Sequence, residues 1–177
     1  FPYGLLLWEA SVVLADALSS IGPLTGRRVL ELGAGVGLAG LAARHLGADV
    51  VQTDYAPEAL EMCSRNATLN GIGGVELELV DWNDWHLSSQ FDLILGADIL
   101  YDGSAHAPIA KLLNASLEAD AIALLTDPGR TATPMFVRDM VENGWAVTQT
   151  KRKVAALHPV RPNETVEVSV LKVSRHT

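Results

Sequence analysis

A chain of 177 residues and 18.9 kDa has the length of one domain and hides roughly 70% of the surface it would expose unfolded, enough for a core without disulfides or a structural metal. With 49% hydrophobic and 19% charged residues it is not a disordered chain, and charges break every apolar run short of the ~18 residues a membrane span needs, although the mean hydropathy is +0.21. Acidic residues outnumber basic ones 21 to 13, a net charge of −8 that repels phosphate backbones; the only local basic cluster is Lys151, Arg152 and Lys153, so neither nucleic acid nor membrane is expected as a partner.

The chain opens on Phe1-Pro2-Tyr3-Gly4, with no basic segment or small-residue cleavage site and no initiator methionine. No signal peptide is expected, a cytoplasmic and reducing setting is the default, and what precedes Phe1 is left open. From Ser11 to Ser20 apolar pairs four apart (Val13 with Ala17, Leu14 with Leu18) predict an amphipathic helix, preceded by Leu7 and Trp8 and stopped at Gly22-Pro23. Arg28 to Leu32 reads as a short buried strand, followed by a glycine turn and a helix over Val36 to Leu46. Asp49 to Thr53 is a second strand, and Pro57 and Asn70-Gly71 bracket a second helix of the sheet region. Its stripe Ala56, Leu60, Cys63, Ala67 places the one cysteine as a buried, inert thiol, and a single cysteine builds neither a disulfide framework nor a zinc site.

Val75 to Val80 and Phe91 to Ala97 are the third and fourth strands, and a helix over Ala107 to Leu117 follows. Ala121 to Thr126, a helix over Pro134 to Glu142, and Trp145 to Thr150 continue the pattern. In Thr165 to Val173, Val166, Val168 and Val170 alternate with Glu167, Ser169 and Leu171, and no helix precedes them. That last strand is expected to return antiparallel beside the sixth, across the polar loop His158 to Glu164. Alternating strands and helices without linker or repeat predict one α/β domain over 1–177, with an N-terminal helical element (1–22) and a doubly wound sheet core (27–177).

The loop Glu31-Leu32-Gly33-Ala34-Gly35-Val36-Gly37-Leu38-Ala39-Gly40 joins a strand to a helix, where glycines let the backbone turn sharply and approach a ligand. Two registers compete. Gly35-x-Gly37-x-x-Gly40 fits a dinucleotide fingerprint with Asp54 downstream as the ribose acid. The other begins at Gly33 with an acid two residues before it. A carboxylate repels a pyrophosphate, whereas the sulfonium and ammonium of S-adenosylmethionine are both cations, so Glu31 favours the second register, the alternative being a simple pair with Arg27 or Arg28. Asp54 ends the second strand, where its oxygens could accept both ribose hydroxyls.

On these residues the chain resembles a known family. Glu31-Leu-Gly-Ala-Gly-Val-Gly, Asp54, Asp81-Trp82, Asp98-Ile99-Leu100-Tyr101 and the opening Tyr3-Gly4…Trp8-Glu9 resemble the class I S-adenosylmethionine-dependent methyltransferases, specifically the family-16 lysine methyltransferase group. Asp127-Pro128-Gly129-Arg130 is similar to the branch containing the electron-transfer-flavoprotein β-subunit lysine methyltransferases. That branch has Trp-Pro where this chain has Trp8-Glu9, so its substrate is not carried over. The Asn-Pro-Pro-Tyr set of enzymes that methylate amide and adenine nitrogens is absent, and Asp98 stands at its asparagine.

The resemblance implies a seven-stranded Rossmann-like sheet of order 3-2-1-4-5-7-6 with the last strand antiparallel, and S-adenosylmethionine as cofactor. It implies a cofactor shell of Gly33, Ala34, Gly35, Glu31, Asp54, Asp81 and Ala97, with a plain Asp81-Trp82-Asn83-Asp84 turn as the alternative for Asp81. Trp8, Tyr55 and Trp82 would be its apolar walls, each with plain packing as the alternative. Asp98 and Tyr101, at the switch point of the sheet, would face the reactive methyl as catalytic residues, against a helix cap and a packed ring. Asp127-Pro-Gly reads equally as a tight turn. The five histidines (His45, His86, His106, His158, His176) lack paired ligand spacing and are read as surface or capping residues, so no metal is expected. The expected partner is a protein with an exposed lysine. A small-molecule N-methyltransferase, an NAD-dependent oxidoreductase and a non-catalytic cofactor-binding protein stay as alternatives, and the oligomeric state is not legible.

Overall fold

The computed structural model describes residues 3–176; Phe1, Pro2 and Thr177 lie outside the described residues, as does the side chain of Tyr3. After a 3-10 turn at Tyr3–Leu5, the elements run α1 (Glu9–Ile21), β1 (Arg28–Leu32), α2 (Leu38–His45), β2 (Asp49–Asp54), α3 (Pro57–Leu69), β3 (Val75–Leu79), β4 (Phe91–Ala97), α4 (His106–Ser116), β5 (Leu117–Asp127), α5 (Thr133–Glu142), β6 (Trp145–Ala155) and β7 (Thr165–Arg175). The strands form one sheet in the order β3-β2-β1-β4-β5-β7-β6. β1 to β5 pair parallel, and β7 enters antiparallel between β5 and β6. This is the Rossmann-like methyltransferase arrangement with its reversed last strand.

Alternation along the strands divides the core between two layers. Leu30, Leu32, Ile94 and Leu125 join Ile109, Leu113, Phe136 and Met140 of α4 and α5. Val29, Val50, Leu93 and Leu95 face Leu14, Leu18, Ala39 and Ala43 of α1 and α2. The Thr126 hydroxyl also donates to the Ala10 carbonyl at 2.8 Å, tying the start of α1 to the end of β5. Among the described residues no helix is long and apolar enough to cross a membrane.

Three expectations change. β5 begins at Leu117, not Ala121, because Leu117 pairs with Phe91 before a register shift. β6 runs on through Lys151, Arg152 and Lys153 to Ala155, each paired across to β7. The basic cluster is therefore strand, and two of its charges are answered: Lys151 meets Glu167 at 2.6 Å and Arg152 meets Asp16. His106 is neither a surface residue nor a plain cap. It is 5% exposed, its Nε2 donates to the Leu100 carbonyl at 3.1 Å, and its ring meets Phe136 edge-on.

Candidate active site

The parallel strands β1, β2 and β4 deliver their carboxyl ends to one edge of the sheet, where the order reverses around β1. The loop after β1 is pinned from several sides. The Ala34 amide donates to the Thr53 carbonyl at 2.9 Å and the Gly35 amide to Asp54 Oδ2 at 3.0 Å. Gly33 and Gly35 have φ of +61° and +55°, a region costly for side chains. A Cβ on Gly33 would lie 3.3 Å from the Trp82 ring, and one on Gly35 would lie 2.9 Å from the Gly4 carbonyl. The loop is thus a tight cradle walled by Trp82 and covered by the opening turn.

Glu31 is turned beneath this loop and is 2% exposed. Its Oε2 accepts from the Gly40 amide at 3.0 Å and from Gln52 Nε2 at 2.6 Å. Burial pushes its carboxyl up to about 7, against the opposing pull of those donors. The Arg27 guanidinium pairs with Asp92 and the Arg28 guanidinium donates to the Gln90 carbonyl instead, so the simple pair at the strand end does not form. A Cβ on Gly40 would come within 2.5 Å of both Glu31 and Gln52. The last glycine of the dinucleotide register is therefore required by this packing. Cys63 is fully buried below the same loop, its thiol pushed up to about 12 by desolvation and donating to the Gly35 carbonyl, which leaves it inert.

Asp54, 6% exposed, divides its oxygens between the Gly35 and Ala56 amides, both at 3.0 Å. Tyr55 beside it is 72% exposed. Asp81 begins the turn Trp82–Asp84, and its Oδ1 accepts both the amide and the side-chain nitrogen of Asn83. Those bonds hold its carboxyl below the ordinary value. Trp82 packs half-buried on the core as well as on Gly33. Ala97 ends β4, half-buried against the α1 side.

Asp98 follows in a left-handed conformation, φ +55°, its amide on the Thr126 carbonyl. Its carboxylate meets the Arg130 guanidinium side-on, Nε to Oδ1 at 2.9 Å and Nη2 to Oδ2 at 2.5 Å. Asp98, Pro128, Gly129 and Arg130 line a cavity of about 220 Å³ with Trp8, Glu9 and Ala10 of the α1 start. Tyr101 is not in that lining; it is 59% exposed, its phenol raised by burial and then by Tyr55, Asp102, Asp98 and Asp54. Trp8 also meets the His158 ring edge-on, and Glu9 accepts the Leu157 amide at 2.7 Å, so the β6–β7 loop borders the same region. Asp98 and Trp8 thus share one cavity; Asp54, Gly33 and Trp82 frame the neighbouring loop.

Arg130 was not among the residues expected at the site, although its Asp-Pro-Gly-Arg motif marked the position. Asp127, 2% exposed, explains the motif. Its Oδ1 accepts the Gly129 and Arg130 amides at 2.8 and 2.9 Å, and its Oδ2 accepts the Thr133 hydroxyl at 2.6 Å. The turn delivers Arg130 to Asp98.

A family profile described as lysine methyltransferase matches residues 2–141. The protein N-lysine methyltransferase METTL21A of Danio rerio is 38% identical over 130 residues, 68% of this chain and 59% of that one. The histone-arginine methyltransferase METTL23 of Xenopus laevis is 38% identical over 107 residues, 56% of this chain and 46% of that one. The chain thus spans about half the length of these relatives. A putative RNA methyltransferase, PH1948 of Pyrococcus horikoshii, shares the fold with a TM-score of 0.75 at 20% identity, over 98% of this chain and 90% of that one. By the extent of the profile match, the chain belongs to the lysine methyltransferase family.

Proposed function

We propose that this protein is an S-adenosylmethionine-dependent methyltransferase whose acceptor is a lysine ε-amine on a protein. The observation that carries the reading is the pairing of a tight glycine cradle, anchored by Asp54, with an acidic side chain, Asp98, across the switch point of the sheet. The tightness of the cradle is physical: a Cβ on Gly33 would come within 3.1 Å of Ile99 and 3.3 Å of Trp82, so the backbone there stays bare. When bound, the cofactor supplies an electrophilic methyl on a sulfonium.

In this reading Asp54 accepts the ribose hydroxyls with lone pairs its two amide contacts leave, since a carboxylate offers about four. Trp82 and Tyr55 cover the adenine, Asp81 accepts its amine, and Gly33, Ala34 and Gly35 bring their backbone against the ligand, with Ala97 and Trp8 lining the pocket. Glu31 acts from beneath, holding the loop. Asp98 accepts an N–H of the incoming amine and aims its lone pair, and Tyr101 shapes the mouth. With the cofactor held there, its methyl would pass to the lysine nitrogen with the C–S electron pair left on sulfur, and the nitrogen's surplus proton would leave to water. Alignment supplies most of the rate, and holding two reactants in attack geometry removes roughly 7–11 kcal/mol of barrier. The acidic surface suits a basic substrate segment.

An arginine acceptor is a second reading, favoured by the guanidinium that Asp98 already holds and by the METTL23 relative, a histone-arginine methyltransferase. One experiment separates them. The protein is incubated with methyl-labelled S-adenosylmethionine and a proteome lysate, and labelled protein is hydrolysed to amino acids. Methyl-lysine is expected. Methyl-arginine would transfer the proposal to the second reading, and no labelled protein would overturn both.

A further inference from the structure

Arg130 reaches Asp98 from a prepared position. The turn that carries it is fixed from below by the buried Asp127 carboxylate and by Thr133. Its guanidinium then lies flat along both Asp98 oxygens, a fork geometry that an ammonium cannot copy. The Asp98 side chain is 10% exposed, so the pair sits in the cavity wall with the arginine on its outer side.

A lone carboxylate here would set two requirements against each other. It would accept N–H bonds from an arriving amine, yet its charge would favour the ammonium form, whose nitrogen has no lone pair to give. A free lysine amine, with a pKa of ~10.4, is already almost wholly protonated at neutral pH. A carboxylate joined to a guanidinium keeps outward acceptor lone pairs while the pair carries no net charge. We propose that Arg130 is a positioning residue that stays on Asp98 while the acceptor is bound, cancelling its charge so that the carboxylate orients a neutral amine instead of trapping an ammonium.

The inference rests on the lysine reading above. The other titratable groups near the pair are Glu9 of α1, which lines the same cavity, Asp127 at the end of β5 and Tyr101 after β4; Asp54 at the end of β2, Tyr55 and Asp102 act on Tyr101, and His158 of the β6–β7 loop packs on Trp8 of the cavity wall. Apart from His158 these are acids or phenols, so without Arg130 the amine would meet mainly groups that favour its charged form.

The test uses n-butylamine, which copies the lysine side chain, titrated by calorimetry into protein saturated with S-adenosylhomocysteine between about pH 8 and pH 10. Wild-type affinity is expected to rise with pH, approaching about tenfold per unit as the neutral fraction grows. R130Q should bind more tightly than wild type near pH 8 and show no rise, because it takes the ammonium. R130K, which keeps the charge, should keep the wild-type sign. Wild-type affinity that is flat or falling would overturn the proposal, because Arg130 would then swing aside and admit a cation. So would an absence of amine binding to all three proteins. Arg130 is 44% exposed at its side chain, and matched thermal melts check that the variants are folded. The lysine reading fails separately, in the lysate labelling, while the sign of the butylamine dependence reads the pair itself.

Discussion

Replacing Glu31 by glutamine should remove a pH dependence from the stability of the fold. Burial raises the carboxyl from 4.5 to about 7, and unfolding returns it to water and its ordinary value. Between those limits the folded protein holds more protons than the unfolded chain, so stability falls as pH rises. The contribution is fully present below about pH 4.5 and is lost as pH rises through about 7. A gap of that size corresponds to about 3 kcal/mol. Glutamine keeps an acceptor oxygen for the Gly40 amide and for Gln52 without the charge. Guanidinium unfolding of both proteins near pH 4.5 and about pH 8 gives the answer, because all other titrating groups cancel in the difference. The variant should gain about 3 kcal/mol on wild type from the lower pH to the higher. An equal difference at both pH values would refute the reasoning, since Glu31 would then titrate as an ordinary carboxylate in spite of its burial.

Asp54→Ala should weaken S-adenosylhomocysteine binding about ten- to a hundredfold, the worth of hydrogen bonds to a charged group; calorimetry on a folded variant that shows unchanged affinity would dismiss Asp54 as a ribose acceptor. Asp98→Asn is the informative change at that position, because asparagine tolerates the left-handed backbone there. Cofactor affinity should change little while single-turnover transfer falls about a hundredfold, and wild-type rates would remove Asp98 from the chemistry. Asp127→Ala strips three acceptor contacts from a buried turn and should cost about 3 kcal/mol by chemical denaturation; a loss under about 1 kcal/mol would mean that the turn stands without it.

The sheet was legible because its central strands are buried apolar runs and its helices carry plain stripes; the parallel direction follows from their alternation and the strand order from the family resemblance. What escaped are segments whose partners decide their state. Lys151 to Ala155 carry no apolar alternation, yet residues 165–169 across the ladder hold them as strand. Leu117 continues the apolar series of α4 and so reads as helix, until Phe91 claims it. At the site, Glu31, Asp54 and Asp98 announced themselves as acids ending strands. The direction in which Glu31 points did not, because Gln52 looks like any polar residue on a strand until it is seen fully buried against that carboxylate. Arg130 lies 32 residues from Asp98, and only the adjacency of β4 and β5 with the Asp127 turn brings them together.

The β6–β7 loop that touches Glu9 and Leu7 has a consequence for how the molecule comes into being. The glycine loop closes over short sequence distances: Glu31 reaches Gly40 across 9 residues and Asp54 reaches Gly35 across 19. The wall beside the cavity of Trp8 and Asp98 closes across 148 residues from Glu9 to Leu157 and 151 from Leu7 to His158. Distant contacts bear the larger closure entropy and form late, once nearer ones have reduced the search. On a ribosome the segment holding the glycine loop emerges long before the β6–β7 hairpin, so the nascent chain can settle that loop while the wall at the start of α1 is still unbuilt. During that interval Trp8 and the start of α1 await a hairpin not yet synthesised, and this stretch is where a chaperone would find the growing protein.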